Sequence, residues 1–103
     1  MDCFEFTRES GYVNGIIFDD LAVNLRHGRE IEFVYKGRRY SITNHSGFWY
    51  LCDDTDHILL ENVCRFEEKE ALVSKIAVAI IDDLTIQQMF DSQVYDTERL
   101  III

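Results

Sequence analysis

Two cysteines and a histidine in this sequence have the residue types and spacing of metal ligands. Cys52, His57 and Cys64 form a Cys-x4-His-x6-Cys pattern. Two thiolates, one imidazole and a fourth ligand can hold a zinc ion tetrahedrally. Candidates for the fourth ligand are the neighbouring acids and the N-terminal cysteine: Asp53, Asp54, Asp56 and Cys3. The pattern contains no Cys-x2-Cys pair, and free cysteine is among the most buried residue types, so two core thiols are the competing interpretation.

Carboxylates are the most frequent charged groups. The chain has 19 acidic and 10 basic residues, which gives a formal net charge of −9. Acids that are a few ångströms apart on a rigid surface could imitate a run of phosphates and compete for a basic nucleic-acid channel. The candidate partner-binding acids are Asp53, Asp54, Asp56, Glu67, Glu68, Glu70, Asp82 and Asp83. The alternative is a solvated acidic surface that keeps a small domain soluble.

Basic residues are concentrated near one end of the central segment. They are Arg26, Arg29, Lys36, Arg38 and Arg39. This distribution predicts one basic edge on an otherwise acidic molecule.

The sequence contains none of the common catalytic motifs. A phosphate-binding glycine loop, a Gly-x-Ser-x-Gly nucleophile motif and a His-Glu-x-x-His motif are all absent from it. The histidines fall at a predicted helix end, in a turn and in a loop, at His27, His45 and His57. Without an adjacent nucleophile, none of them is typical of a general base. We therefore predict a protein without enzymatic activity.

Length and composition favour one globular domain over residues 1–103. The chain is 48% hydrophobic, which is typical of a folded protein, and two domains would each be too small for a core. The segment from Met1 to Glu5 lacks the basic and apolar parts of a signal peptide. The apolar run from Ile76 to Ile81 is too short to span a bilayer. We therefore expect a cytoplasmic protein that binds neither membranes nor, given its charge, bare nucleic acid.

Residues 29–52 predict a three-stranded antiparallel meander. With Lys36-Gly37 as a two-residue turn, Phe33 faces Tyr40 and Ile31 faces Ile42.

A second turn at residues 44–47 would pair Ile42 with Trp49 and Tyr40 with Leu51. Both turns place the same apolar set on one face: Ile31, Phe33, Tyr40, Ile42, Trp49 and Leu51. A one-residue slip would move that set to the opposite face, so the agreement supports the meander.

A short helix is predicted before the meander, over residues 18–28. Asp19 is the expected N-cap, and Phe18 and Val23 are spaced as a hydrophobic staple. Gly28 is the expected left-handed stop.

Two further helices are predicted after the meander. One begins at the acids 67–70 and ends near Ile81, with Leu72, Ile76 and Ile80 on its buried face. After a break at Asp82-Asp83, residues 85–90 form the second, which buries Ile86, Met89 and Phe90.

Strand predictions outside the meander are shorter. Residues 64–66 are the expected fourth strand, and the segments 4–6 and 13–18 are spaced as an N-terminal hairpin. The apolar tail 100–103 is expected to form either a strand at a sheet edge or a homodimer contact. The predicted fold is a single α+β domain: an antiparallel meander of about three to five strands, with two or three short-to-medium helices on one face.

One stretch resembles a known group of proteins. The run Gly-Arg-Glu-Ile-Glu-Phe-Val-Tyr-Lys-Gly-Arg-Arg-Tyr-Ser-Ile at 28–42, followed by Trp49-Tyr50-Leu51 and later by Leu84-Thr85-Ile86, is similar to small uncharacterised proteins of Gram-positive bacteria and their phages. The resemblance covers residues 18–90. Asp83 stands where that group usually has a glycine, and the group has no catalytic motif to transfer.

The resemblance implies a partner. Small acidic phage proteins without enzyme motifs include inhibitors of host defence, and this chain is similar to type II-A anti-CRISPR proteins in size and charge. The partner would then be a protein of the host cytoplasm that has a basic nucleic-acid-binding surface. A type II CRISPR nuclease is the first candidate. The alternatives are a small regulatory protein that self-associates through its C-terminal tail, and a small zinc-binding protein.

Overall fold

The computed structural model alternates helices with short strands, and it describes residues 12–13, 15–55 and 57–103. The elements in chain order are β1 (Tyr12–Val13), α1 (Phe18–Arg26), β2 (Ile31–Tyr35), β3 (Arg38–His45), β4 (Phe48–Asp53), β5 (Ile58–Leu60), α2 (Lys69–Val78), β6 (Ile80–Ile81), β7 (Leu84–Thr85), α3 (Ile86–Ser92) and β8 (Leu100–Ile102). Six strands form an antiparallel sheet in the order β1-β8-β2-β3-β4-β5, and β6 pairs with β7. The α+β prediction is confirmed.

The first hairpin of the meander has the predicted register. Phe33 pairs with Tyr40 and Ile31 pairs with Ile42. Lys36 and Gly37 form the turn with φ values of 51° and 77°, and this left-handed pair matches the twist of the flanking strands.

The second hairpin has a tighter turn than predicted. Ser46 and Gly47 form a two-residue turn with φ values of 53° and 85°. Ile42 therefore pairs with Leu51 and Asn44 pairs with Trp49, so the predicted pairing of Ile42 with Trp49 is wrong by two residues. Because side chains alternate with a period of two, this shift keeps every residue on its predicted face.

The predicted apolar face of the meander is confirmed. Its exposures are Ile31 0%, Phe33 0%, Tyr40 4%, Ile42 0%, Trp49 0% and Leu51 1%. All six side chains join one hydrophobic cluster with residues from all three helices. The helices therefore cover this face of the sheet.

Helix α1 begins differently from the prediction. Ile17 occupies the N-cap position and makes no side-chain cap, while Asp19 lies inside the first turn. The carboxylate of Asp91, in α3, accepts the hydrogen bond of the Phe18 backbone nitrogen at 3.0 Å. Val23 is 48% exposed, so the hydrophobic staple is wrong. Gly28 follows the helix with φ of 79°, as expected.

The chain turns sharply after α2. This helix ends at Val78, and Ile80 is 71% exposed instead of buried in a longer helix. Strands β6 and β7 form a hairpin around Asp82, whose φ is 57°. Helix α3 follows with its predicted buried side of Ile86, Met89 and Phe90. Thr85 and Gln88 close a capping box at its start.

The fourth strand of the meander lies earlier in the sequence than predicted. It spans Ile58–Leu60, whereas residues 64–66 contribute only a bridge between Arg65 and Phe48. The backbone of this segment still follows β4, because the Trp49 nitrogen donates to the Cys64 oxygen at 3.0 Å.

The apolar tail is a strand inside the sheet. Strand β8 lies between β1 and β2, and Leu100 and Ile102 are 0% and 8% exposed. The strand prediction is confirmed, although β8 lies between two other described strands and not at an edge. The predicted strand at residues 4–6 lies outside the described residues. No helix in the described part of the chain is long and apolar enough to cross a membrane.

Candidate protein-binding surfaces

The predicted partner-binding acids do not form one surface. Asp53 ends β4 and Asp54 follows it, near the turn between β2 and β3, where the hairpin of Asp82 and Asp83 also lies. The acids of residues 67–70 lie at the start of α2, at the other end of the sheet, where the Phe66 nitrogen donates to the Gly47 oxygen. Strand β3 has 8 residues and separates the two groups by about 25 Å. The β4–β5 loop acid Asp56 lies outside the described residues.

Asp53 is a structural residue of the β4–β5 loop. Its side chain is on the core face opposite Tyr40 and is only 2% exposed. Its Oδ1 atom accepts hydrogen bonds from Thr55 N at 3.0 Å, Thr55 Oγ1 at 2.7 Å and His57 N at 3.1 Å. Burial raises the pKa of Asp53, but these hydrogen bonds outweigh burial and the net pKa is lowered. This carboxylate stabilises the loop and is not presented to a partner.

Two of the other acids at this end of the sheet, Asp54 and Asp83, are paired with the basic edge. Arg38 Nε lies 3.8 Å from Asp54 Oδ1. Asp83 Oδ1 lies 3.5 Å from Lys36 Nζ and accepts the hydroxyl hydrogen bond of Tyr35 at 2.9 Å. The predicted basic edge and the predicted acidic surface therefore largely neutralise each other here.

The acids at the start of α2 are also engaged within the chain, with one exception. Glu70 forms two hydrogen bonds with Arg26, at 2.8 and 3.2 Å. Glu68 Oε1 accepts the Arg65 backbone hydrogen bond at 2.8 Å. Glu67 is exposed and has no ion pair among the described residues.

The proposed zinc ligands lie on different sides of the sheet. Cys64 belongs to the core cluster, whereas Cys52 is buried on the opposite face of β4. The free thiol of Cys64 donates to the Glu68 oxygen at 3.4 Å, and burial raises its pKa. His57 is 70% exposed, with Nδ1 3.8 Å from Asp53.

No metal-binding group of three histidine, cysteine or acidic side chains is present in the described ranges. Cys3 and Asp56, two of the candidate fourth ligands, fall outside those ranges. Zinc binding stays a prediction.

The packing of α3 against α1 creates an acidic patch that the sequence did not indicate. Asp91 reaches the first turn of α1, where Asp19 and Asp20 follow Phe18 directly. All three aspartates are exposed, and none forms an ion pair with another described residue. The two parts are 71 or more residues apart in the chain, so only the tertiary contact brings them together. We call Asp19, Asp20 and Asp91 the aspartate patch.

A groove of about 510 Å³ lies between β5 and the C-terminal part of α2. We call this surface the β5 groove. It is lined by Leu60, Glu61, Asn62, Val63, Lys75, Val78, Ala79 and Ile80. The exposure of Val78 and Ile80 follows from the early end of α2, which the four-residue spacing of the sequence did not reveal.

A buried carboxylate lies on the second face of the sheet. Glu32 is 5% exposed, and its Oε1 atom is 3.7 Å from Arg39 Nη1. Burial raises the pKa of Glu32, and the charge of Arg39 opposes that rise only in part. The cavity beside it measures about 470 Å³ and is also lined by Val34, Glu98 and Arg99.

Comparison with known proteins gives no relative: no protein-family model, curated protein or solved structure matches this chain.

Proposed function

We propose that this chain is a non-catalytic inhibitor that binds a basic nucleic-acid-binding surface of a host enzyme through the aspartate patch. The observation that supports the proposal is the grouping of Asp19, Asp20 and Asp91 without an ion-pairing base among the described residues. The acids at both ends of the sheet are mostly engaged by Lys36, Arg38 and Arg26. The aspartate patch thus joins exposed carboxylates from two helices, and none of the three forms an ion pair with a described base.

The charge of the whole chain favours the same kind of partner. A net charge of −9 attracts basic surfaces at long range and accelerates association with them at low salt. Surfaces that hold nucleic acid are rich in arginine and lysine, and arginine binds carboxylates in a bidentate geometry. A patch of three aspartates can therefore replace phosphates at such a surface.

The resemblance to phage proteins selects the first enzyme to test. A type II CRISPR nuclease has a positively charged channel for its nucleic acids, and an acidic phage protein in the host cytoplasm would meet it there. A homodimer through residues 100–103 is not part of the proposal, because Leu100 and Ile102 are buried in the sheet of the monomer.

The test measures binding to a purified type II CRISPR nuclease over a range of salt concentrations. The test variant combines Asp19→Asn, Asp20→Asn and Asp91→Asn, which remove three charges and keep hydrogen-bond acceptors. The control variant combines Glu67→Gln, Asp82→Asn and Glu98→Gln, which remove the same charge elsewhere on the surface. Circular dichroism checks that both variants are folded.

We expect the test variant to bind at least about tenfold more weakly than the control variant, with a shallower dependence on salt. Equal weakening of both variants would assign binding to net charge and contradict the role of the patch. An absence of binding by the unmodified protein at low salt would refute this choice of enzyme.

A further inference from the structure

We propose that the β5 groove binds an extended apolar segment of a partner protein, with a lysine or arginine of that segment opposite Glu61. This surface is separate from the aspartate patch, and the inference does not depend on the proposed inhibition. The occupant would add a strand to the sheet at β5.

The groove has apolar walls that the chain itself leaves uncovered. Val78 is 68% exposed and Ile80 is 71% exposed, the two largest exposures among the large apolar side chains described. Leu60 and Ala79 lie beside them and are half-buried. A contiguous apolar surface of this kind on a small domain marks an interaction site more often than an isolated exposed side chain does.

The groove lies beside an edge of the described sheet, because Leu60, one of its lining residues, belongs to β5. Among the described strands β5 pairs only with β4, so its outer edge presents backbone donors and acceptors. Its sequence, Ile58-Leu59-Leu60, contains neither a proline nor a charged side chain, which are the usual means of blocking such an edge. An extended peptide can supply the missing hydrogen bonds while alternate side chains enter the groove.

Charge selects the occupant. Lys75 is the only base among the described residues that line the groove, and its Nζ atom donates to the Val63 oxygen at 2.7 Å, so its ammonium group is held at the backbone and keeps its charge. Glu61 is exposed and forms no ion pair within the described part of the chain. A lysine or arginine of the occupant can therefore pair with Glu61, which lies beside the apolar walls of the groove. A second copy of this chain would add another net charge of −9, so a basic partner segment fits better.

The experiment selects binders from a displayed library of ten-residue peptides against the intact protein. The test variant is Val78→Ser with Ile80→Ser, and the matched control is Val23→Ser with Val94→Ser, at sites 48% and 51% exposed outside the groove. We expect selected peptides to alternate apolar and polar residues, to lack proline and to carry a lysine or arginine. Binding of a synthesised selected peptide should weaken about tenfold in the test variant and not in the control.

Two further measurements can overturn the proposal. In Glu61→Lys, selection should change from basic to acidic peptides, and unchanged selection would contradict the role of Glu61. Hydrogen exchange should slow at the β5 amides when the peptide binds. Failure of the library to yield a binder sensitive to Val78 and Ile80 would refute the groove as a peptide site. A dimer in sedimentation that Ile80→Ser dissociates would instead assign the groove to a second copy.

Discussion

The Oδ1 atom of Asp91 lies 3.0 Å from the backbone nitrogen of Phe18, and this hydrogen bond fixes α3 against the first turn of α1. A carboxylate at this position satisfies one of the unpaired donors at a helix N-terminus and interacts favourably with the helix dipole. Ile17, the residue at the cap position, cannot do so with its own side chain. The cap of α1 is thus supplied by a residue 73 positions away.

Asp91→Ala should lower the free energy of unfolding by about 1 kcal/mol, because it removes the only side-chain cap that α1 has among the described residues. Asp91→Asn keeps an acceptor oxygen and should cost less than half as much. Urea denaturation followed by the fluorescence of the single tryptophan measures both. Glu67→Ala, at an exposed acid, is the control. Equal losses for Ala and Asn would show that the charge matters and the hydrogen bond does not.

Asp53→Asn should destabilise the protein by about 1 to 2 kcal/mol at neutral pH, because the ionised carboxylate accepts three hydrogen bonds in the β4–β5 loop. The pKa of Asp53 is lower in the folded protein than its ordinary value. The ionised Asp53 therefore stabilises the folded protein above the pKa of aspartate in the unfolded chain, about 3.9. This contribution is lost as the pH falls through the pKa of Asp53 in the folded protein. Denaturation of both proteins from pH 7 to pH 2.5 should show the difference shrinking with acid. A difference that does not depend on pH would contradict this assignment.

The three-stranded meander shows which parts of the fold the sequence can predict. The Lys36-Gly37 turn is local, so its register followed from adjacent residues alone. The second turn is compatible with either two or four residues. The two lengths shift the strand pairing by two residues, which leaves the same side chains on the buried face, so the pattern of apolar residues does not distinguish them. The buried position of Asp53 could nevertheless have been read from the alternation of Trp49, Leu51 and residue 53. The residue type indicates the opposite position, because aspartate is rarely buried.

The candidate binding surfaces were less predictable for a different reason. The aspartate patch depends on the contact between α1 and α3, which are far apart in sequence. The β5 groove depends on α2 ending at Val78, although the spacing of Leu72, Ile76 and Ile80 also fits a longer helix. In both cases local sequence is consistent with more than one arrangement, and tertiary packing selects among them.

Glu32→Gln should stabilise the protein at neutral pH, which is the opposite of the effect at Asp53. Burial raises the pKa of Glu32, and Arg39 at 3.7 Å opposes that rise only in part. A carboxyl group whose pKa is higher in the folded than in the unfolded protein stabilises the fold while it is protonated. That stabilisation is fully present below the pKa in the unfolded protein, about 4.3, and is lost as the pH rises through the pKa in the folded protein. Glutamine removes this titration, so its advantage over the unmodified protein should grow from pH 3 to pH 7. Glu98→Gln, on the rim of the same cavity, is the control. A loss of stability at pH 7 would show that the ion pair with Arg39 outweighs burial.

Ser41→Ala should raise the free energy of unfolding by about 1 kcal/mol. Ser41 is 0% exposed, and its Oγ atom has no hydrogen-bond partner among the described residues. Alanine removes the unpaired hydroxyl and leaves a gap of only one atom. Thr43 is the matched comparison, because it lies two residues further along β3 and its hydroxyl donates to Glu30. Thr43→Val should therefore lower the free energy of unfolding by about 1 kcal/mol. Chemical denaturation measures the free energy of unfolding of both variants. The two changes should have opposite signs, because the Thr43 hydroxyl has a hydrogen-bond partner and the Ser41 hydroxyl has none among the described residues. Destabilisation by Ser41→Ala would show that the Oγ atom has a partner in solution, and hydrogen exchange at neighbouring amides would locate it.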